Sequence, residues 1–357
     1  MTQQVIGGVD THGLTYHAAV IDAVFGRQLG DEQFPATAAG HRVLAAWLAG
    51  FGEVVAVGVE GTGAYGAELA RHLAVVGLRV VEVDRPDRKM RRAKGKSDPI
   101  DAYAAAAAVA SGRAVGVPKS RTGAVEAIRM LRVARSSAVK ARTQAMNQIR
   151  MLLVTAPASL REQVEGSGAA ALIGTLARLR PGADLRLPVN AAKFSLRRLA
   201  RRHQSLGEEI AELSEQIALL VAAAAPQMLE LVGVGPEVAG QLLVTAGDNP
   251  ERMHSEGAFA RLAGAAPLPA SSGRTQRHRL NRGGDRQANN ALHTIALVRM
   301  RHHEPTRAYV TRRTSEGLSK MEIIRCLKRF IAREVFHALT ASPPAQTCHN
   351  NPLANTA

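Results

Sequence analysis

The sequence predicts a mixed α/β domain at the N-terminus, then a long helical arm, then a mostly α-helical C-terminal domain. Between Val5 and Asp84, short β-branched runs alternate with amphipathic stretches, the pattern of a sheet layered with helices. From about Arg121 to Val154, and again from about Ala191 to Ala224, leucine-spaced polar segments run almost free of Gly and Pro. Charge is the third observation. The 357 residues carry 46 Lys and Arg against 30 Asp and Glu, a net +16. An extended polyanion is the natural partner, and nucleic acid leads over an acidic membrane surface.

Taken in order, VIGGVD and HAAVIDAVF read as strands, GHRVLAAWLAGF as a helix, EVVAVGVE as a strand, GAELARHLAVVG as a helix and LRVVEVD as a strand. Residues 98 to 111 read as a further helix, with Ser97 at its N-cap and Pro99 in its first turn, where a missing N–H costs little. The long segments, as in EEIAELSEQIALLV, predict a helical hairpin or coiled-coil arm around a looser region from GSGAAALIG to PGADLRLPVN. Pro226 to Ala341 reads as helical with Gly-rich turns, and the tail from Ser342 as disordered. The expected division is 1–120, 121–225, 226–341 and 342–357.

Several classes fall away. The most apolar stretch, Tyr103 to Ala110, is short and built mainly of alanine, so no transmembrane segment is expected. The opening MTQQVIGGVD has neither the basic start nor the apolar run of a signal peptide. Cys326 and Cys348 suggest neither a disulfide framework nor a zinc site, which fits a reducing cytoplasm. Aromatic residues make up 3% of the chain, too few for a protein that grips single strands mainly by stacking.

Acidic residues stand at the ends of elements. Asp10 closes one apolar strand, Glu60 closes another, and Asp98 and Asp101 lie one helical turn apart and therefore point the same way. Taken singly, each is accounted for by capping or by the preference of helix N-termini for negative charge. Converging at one sheet edge they would repel each other without a cation, and Mg²⁺ or Mn²⁺ takes such oxygens together with substrate phosphates. The stretches GVDTHG, VEGTGAYG and KSDPIDA resemble the acidic motifs of the DEDD transposases of the IS110 type. The resemblance implies an RNase H-like, RuvC-like N-terminal domain in which Asp10, Glu60, Asp98 and Asp101 are catalytic metal ligands. Ser97 stands where the family often has threonine. Sugar-kinase and actin-like ATPases offer a competing reading of GVDTHG and GTGAYG, which explains neither the Asp98 and Asp101 pair nor the charge.

A second chemical stretch is ASSGRTQRHRLNRGGDRQANNAL. An ordinary turn and a phosphate-binding face account for it by composition. A serine among guanidinium groups could also attack phosphorus while they stabilise the developing charge. The stretch resembles the C-terminal domain of the same family, in which the serine before glycine is the nucleophile. That position is Ser272, with Ser271 left open as the alternative. Arg274, Arg277, Arg279, Arg282 and Arg286 are the expected phosphate contacts. Upstream, LELVGVGPEVAGQLLVTAG resembles a helix-hairpin-helix, with Gly233 and Gly235 allowing backbone N–H groups to face a phosphate. Arg129, Arg132, Arg135, Lys140, Arg142 and Arg150 recur along the first long segment, where they could solvate an arm or line a nucleic-acid channel, and the net charge favours the channel.

The family's pattern implies a DNA recombinase of a mobile element. Its serine forms a covalent link to a DNA phosphate, and it assembles as a homodimer or tetramer on a bridge RNA that pairs with target and donor DNA. An arm between the two chemical stretches leaves room for the serine of one subunit to complete the acidic site of another. A junction-resolving, metal-dependent nuclease would use the four acids alone, and a non-catalytic nucleic-acid-binding protein neither site.

Overall fold

The computed structural model describes residues 2–83, 97–273, 278–279 and 281–341, so the expected disorder of the tail lies outside the described residues. The chain divides into two compact units. The first comprises Met1–Gly123 and Ala246–Ser255, the second Ala124–Thr245 and the residues from Glu256 onward. Among the described residues no helix is long and apolar enough to cross a membrane.

The first unit is built on a five-stranded sheet in the order β3-β2-β1-β4-β5. Its strands are β1 (Gln4–Thr11), β2 (Thr15–Asp22), β3 (Gln28–Pro35), β4 (Glu53–Glu60) and β5 (Val80–Val83). The first three form an antiparallel meander, and β4 and β5 continue from β1 in parallel. Helices α1 (Ala38–Ala49) and α2 (Ala67–Val75) supply the crossovers such parallel pairs need. Strand alternation sorts the side chains. Val5 and Val9 of β1, with Val57 and Val59 of β4, pack against Leu44 and Leu48 of α1 and Leu69 and Leu73 of α2. Ile6 and Ile21 point the other way, onto α3 (Asp98–Ala110) through Tyr103, Ala106 and Val109.

Under the first layer His41 is 1% exposed, stacked on Tyr16 at 5.5 Å and 5.8 Å from the His72 ring. Its Nε2 has no hydrogen-bond partner among the described residues. Burial lowers the His41 pKa; nearby Glu68 opposes that shift and His72 adds to it. The folded state therefore favours neutral imidazole, and the stability this gives is complete above the unfolded value of 6.5 and lost as pH falls through the folded one. Melting temperature is expected to drop on acidification below pH 6.5, and His41→Leu to flatten that drop, as a thermal-shift series across pH would record.

In the second unit, α4 (Ala124–Thr155) and α7 (Pro188–Ala224) run antiparallel. Arg135 Nε donates to Ser214 Oγ at 2.7 Å, and farther along Ile149 packs with Leu196 and Ala200. Between them lie α5 (Ala158–Glu162) and α6 (Ala169–Ala177), so the looser region holds helical turns of its own; Ile173 and Leu176 of α6 join the same apolar cluster. The C-terminal part is helical, as expected. It contains α8 (Pro226–Leu229), α9 (Pro236–Ala246), α10 (Glu256–Leu262), the short strand pair β6 (Leu268–Pro269) and β7 (His278–Arg279), then α11 (Arg286–His302), α12 (Glu304–Ser315) and α13 (Lys320–Thr340).

Candidate metal centre and serine loop

The acidic site is set by how closely α3 lies on the sheet. Gly8 of β1 and Gly58 of β4 are register partners. A Cβ on Gly8 would stand 2.1 Å from Ala102 O and 2.4 Å from Ala106 N, and one on Gly58 2.7 Å from Val109 Cγ2. Two neighbouring glycines thus let a helix backbone rest on the strands, and the alanine run presents Ala102, Ala105 and Ala106 to them, all buried. Asp10 is two residues beyond Gly8 and Glu60 two beyond Gly58, so alternation puts both on the face that α3 covers. The first turn of α3, with Asp98 and Asp101, meets that edge. Ser97 is the N-cap residue with extended backbone, but its side chain makes no capping bond.

Asp10 is 6% exposed and Asp101 2% exposed, whereas the Asp98 side chain is half open to solvent and Glu60 is half-buried. His12 Nε2 lies 3.1 Å from Asp10 Oδ2 and 3.4 Å from Asp98 Oδ1. Donor atoms of Asp10, His12 and Asp98 all fall within 4.8 Å of one another and could hold a metal ion. Burial pushes the Asp10 carboxyl above its ordinary value; His12 counters this, and the charges of Asp101 and Asp98 raise it further. Those two carboxylates therefore act on Asp10 at short range. The three-donor group does not include Asp101 or Glu60. At the end of β4 the Glu60 carbonyl accepts from Thr11 Oγ1 at 2.8 Å, tying the two strand ends together, and Gly61 turns the chain with φ +70. His12 was missed as a site residue in the sequence, although its place two positions after Asp10 on a strand was a usable signal. Glu82, near the end of β5, accepts from Thr62 Oγ1 at 2.6 Å.

Ser272 is exposed in the loop between β6 and β7, and Gly273 after it takes φ +54, a left-handed turn that favours glycine. Ser271 beside it is exposed too. Arg279, Arg282 and Arg286 are exposed, while Arg274 and Arg277 lie outside the described residues. Asp285 caps α11 by accepting from Gln287 N at 2.8 Å and Ala288 N at 3.2 Å.

The hairpin stretch starts at Leu229, the last residue of the four-residue α8, and runs into α9. Gly233 has φ +83, and the turn is fixed by Arg299, whose Nε donates to Val232 O at 2.7 Å and whose guanidinium pairs with Glu334 at 2.8 Å. Gly235 is exposed just before α9, with nothing within 4 Å of where a Cβ would stand. Part of the basic row on α4 is engaged within the protein. Arg129 pairs with Glu126 at 2.7 Å, Arg132 bonds Glu237 and Gln241, and Arg135 bonds Ser214 and Glu237. Arg132 and Arg135 thus tie α4 to α9 and α7, whereas Arg129 is paired within α4 itself; Lys140 and Arg150 are exposed.

A family model described as transposase, of the DEDD type named for IS110, matches residues 7–156, and one described as transposase of the IS116/IS110/IS902 family matches residues 225–311. The first match spans Asp10, Glu60, Asp98 and Asp101, and the second spans the hairpin and Ser272. No curated protein matches the chain.

Proposed function

Because the chain belongs to the DEDD transposases of the IS110 type, we propose that it cuts and rejoins the DNA of its own mobile element with Ser272 as nucleophile and a carboxylate-held Mg²⁺. The observation that carries this reading is the buried Asp10 set against His12 and Asp98, with Asp101 within electrostatic reach. A buried carboxylate amid further carboxylates is unfavourable alone and becomes favourable around a divalent cation. Asp10, Glu60, Asp98 and Asp101 would hold that ion, with His12 as an additional donor. When bound, it supplies charge stabilisation at the reacting phosphate.

The chain's own steps are two transesterifications. Ser272 Oγ loses its proton and forms a bond to phosphorus, while the bond from phosphorus to a deoxyribose oxygen breaks and that oxygen leaves as a hydroxyl. A hydroxyl of the joining DNA then attacks the phosphoserine, the bond to Oγ breaks, and the serine recovers its proton. Exposed Arg279, Arg282 and Arg286, together with Arg274 and Arg277, would hold strand phosphates, and the hairpin at Gly233 and Gly235 would grip the backbone nearby. The strand order supports an RNase H-like reading of the N-terminal domain, and the antiparallel pair α4 and α7 a coiled-coil arm. The functional parts would then be 1–120, 121–225 and 226–341. A bridge RNA as guide, a homodimer or tetramer as the working form and a place at the bacterial nucleoid complete the reading; the charge of +16 favours such partners.

The test is excision and circle formation from a plasmid carrying the complete native element with its flanks. Both Ser272→Ala and Asp98→Ala are expected to reduce circle formation by at least roughly a hundredfold. Strand cleavage persisting in Ser272→Ala would replace this reading with a carboxylate nuclease, and full activity in both would leave only a binding protein.

A further inference from the structure

The second unit contains a cavity of about 720 Å³ between β7, the strand that closes the serine loop, and helices α12 and α13. Its wall is cationic: Arg279, Arg312, Arg313, Arg325, Lys328 and Arg329 line it, against Glu322 as the single carboxylate among the described lining residues. That carboxylate caps α13, accepting from Ser319 N at 3.0 Å and Ser319 Oγ at 2.6 Å, and lies 3.9 Å from Arg325, while Arg312 and Arg313 pair with Glu316.

Two of the cations, Lys328 and Arg329, are only partly satisfied. Lys328 is 6% exposed, and its Nζ donates to the neutral amide oxygen of Asn289 at 2.8 Å. Asn289 cannot turn away, because its Nδ2 donates to Ala263 O at 3.0 Å and Gly264 O at 2.9 Å. No carboxylate lies at ion-pair distance from Lys328 among the described residues. Burial, and then the charge of Arg325, lowers its pKa, as for an ammonium without a counter-ion. Arg329 gives Nη2 to Glu256 at 2.8 Å, but its Nη1 is buried with no partner among the described residues. An incoming anion would satisfy both groups. The same cavity offers aromatic surface: Tyr309 and Phe330 meet edge-on with centroids 5.7 Å apart, and the Arg312 guanidinium lies 5.5 Å from the Tyr309 centroid.

We propose that this cavity binds one unpaired nucleotide, its phosphate held by Lys328 and Arg329 and its base set against Tyr309 and Arg312. The volume is that of a small-ligand pocket, and a base-paired duplex, whose phosphates lie on a convex surface, would not enter. Anion chemistry alone would suit inorganic phosphate, but rings and stacked guanidinium beside the cations fit a nucleotide of a strand. The proposal takes from the transposase reading only that nucleic acid is the ligand, and it locates the strand at the base of the serine hairpin.

The test compares binding of the full-length protein to fluorescent oligo(dT), oligo(U) and a fully paired hairpin duplex for wild type, Lys328→Met and Arg312→Ala. Methionine keeps the length of the buried stem, and Arg312 is exposed, so at least the second variant leaves the fold unburdened. Expected is a loss of roughly tenfold or more in single-strand affinity in both variants, with duplex affinity held within about twofold. A preference for oligo(dT) identifies the occupant as a DNA strand and one for oligo(U) as RNA; both keep the pocket. Equal losses for duplex and single strand, or an unchanged single-strand affinity in Arg312→Ala, would overturn the proposal. The transposase reading fails by a different result, excision that survives Ser272→Ala, so the two failures are separable.

Discussion

Asp10→Asn is expected to abolish excision while making the metal-free protein more stable. Asparagine keeps the shape of the side chain and can still meet His12 Nε2, now 3.1 Å from the carboxylate, but it removes a charge that burial, Asp101 and Asp98 disfavour. The sign follows from the raised pKa. Asp10 contributes its full stability below the unfolded value of 3.8, and that contribution is lost as pH rises through the higher folded value. The melting temperature of Asp10→Asn should therefore exceed that of wild type at neutral pH, with the gap shrinking as pH falls toward 3.8. Adding Mg²⁺ should reverse the order, since an ion that binds only the folded wild-type site raises its melting temperature by mass action. Circle formation should fall by at least roughly a hundredfold. A variant less stable than wild type at pH 7 and equally responsive to Mg²⁺ would make Asp10 a structural residue.

The second large effect lies at a residue with no functional group. Gly8→Ala would place a methyl 2.1 Å from the carbonyl oxygen of Ala102, a backbone atom that no rotamer change can move aside. Strand and helix must separate, at a cost of about 1–3 kcal/mol or more from overpacking. Because α3 carries Asp98 and Asp101, the donors would shift away from Asp10 by the same movement, and a misplacement of about 1 Å can cost roughly a hundredfold in rate. Gly7→Ala is the control: its Cβ would meet the movable Leu48 Cδ2 at 3.0 Å on the opposite face. Thermal shift with and without Mg²⁺ should show Gly8→Ala less stable and unresponsive to the ion, and Gly7→Ala responsive. A normal Mg²⁺ response in Gly8→Ala would mean that the close seating of α3 does not set the site.

What the sequence made legible follows from where apolar residues sit. Strands β1 and β4 are buried on both faces and spell out as VIGGVD and AVGVE, each ending in its acid. Strand β3 escaped notice because it is a polar edge strand, QLGDEQFP, of which Phe34 alone is buried. The alanine run suggested a helix but not its purpose, which needs Gly8 and Gly58 beside it in register. His12 stood inside a quoted motif, yet its closeness to Asp98 depends on a helix 86 residues later, and no local spacing encodes that. The arginines on α4 illustrate the opposite failure. Charge counting treats Arg132 and Arg135 as free for phosphate, whereas both converge on Glu237, more than a hundred residues away in sequence.

The return segment Ala246–Ser255 bears on the order in which the protein can be made. Asn249 accepts from Ser120 N and donates to Pro118 O, both at 3.0 Å, and Arg252 Nη1 reaches Val117 O at 3.2 Å. A Cβ on Gly123 would stand 2.3 Å from Asp248 Oδ1, so the closure is tight. The sheet unit is thus not finished when its first stretch leaves the ribosome. It waits for about 130 further residues, on the order of ten seconds of synthesis, before the segment that seals residues 117 to 123 exists. Through that interval the nascent acidic site sits in a domain whose last seam is open.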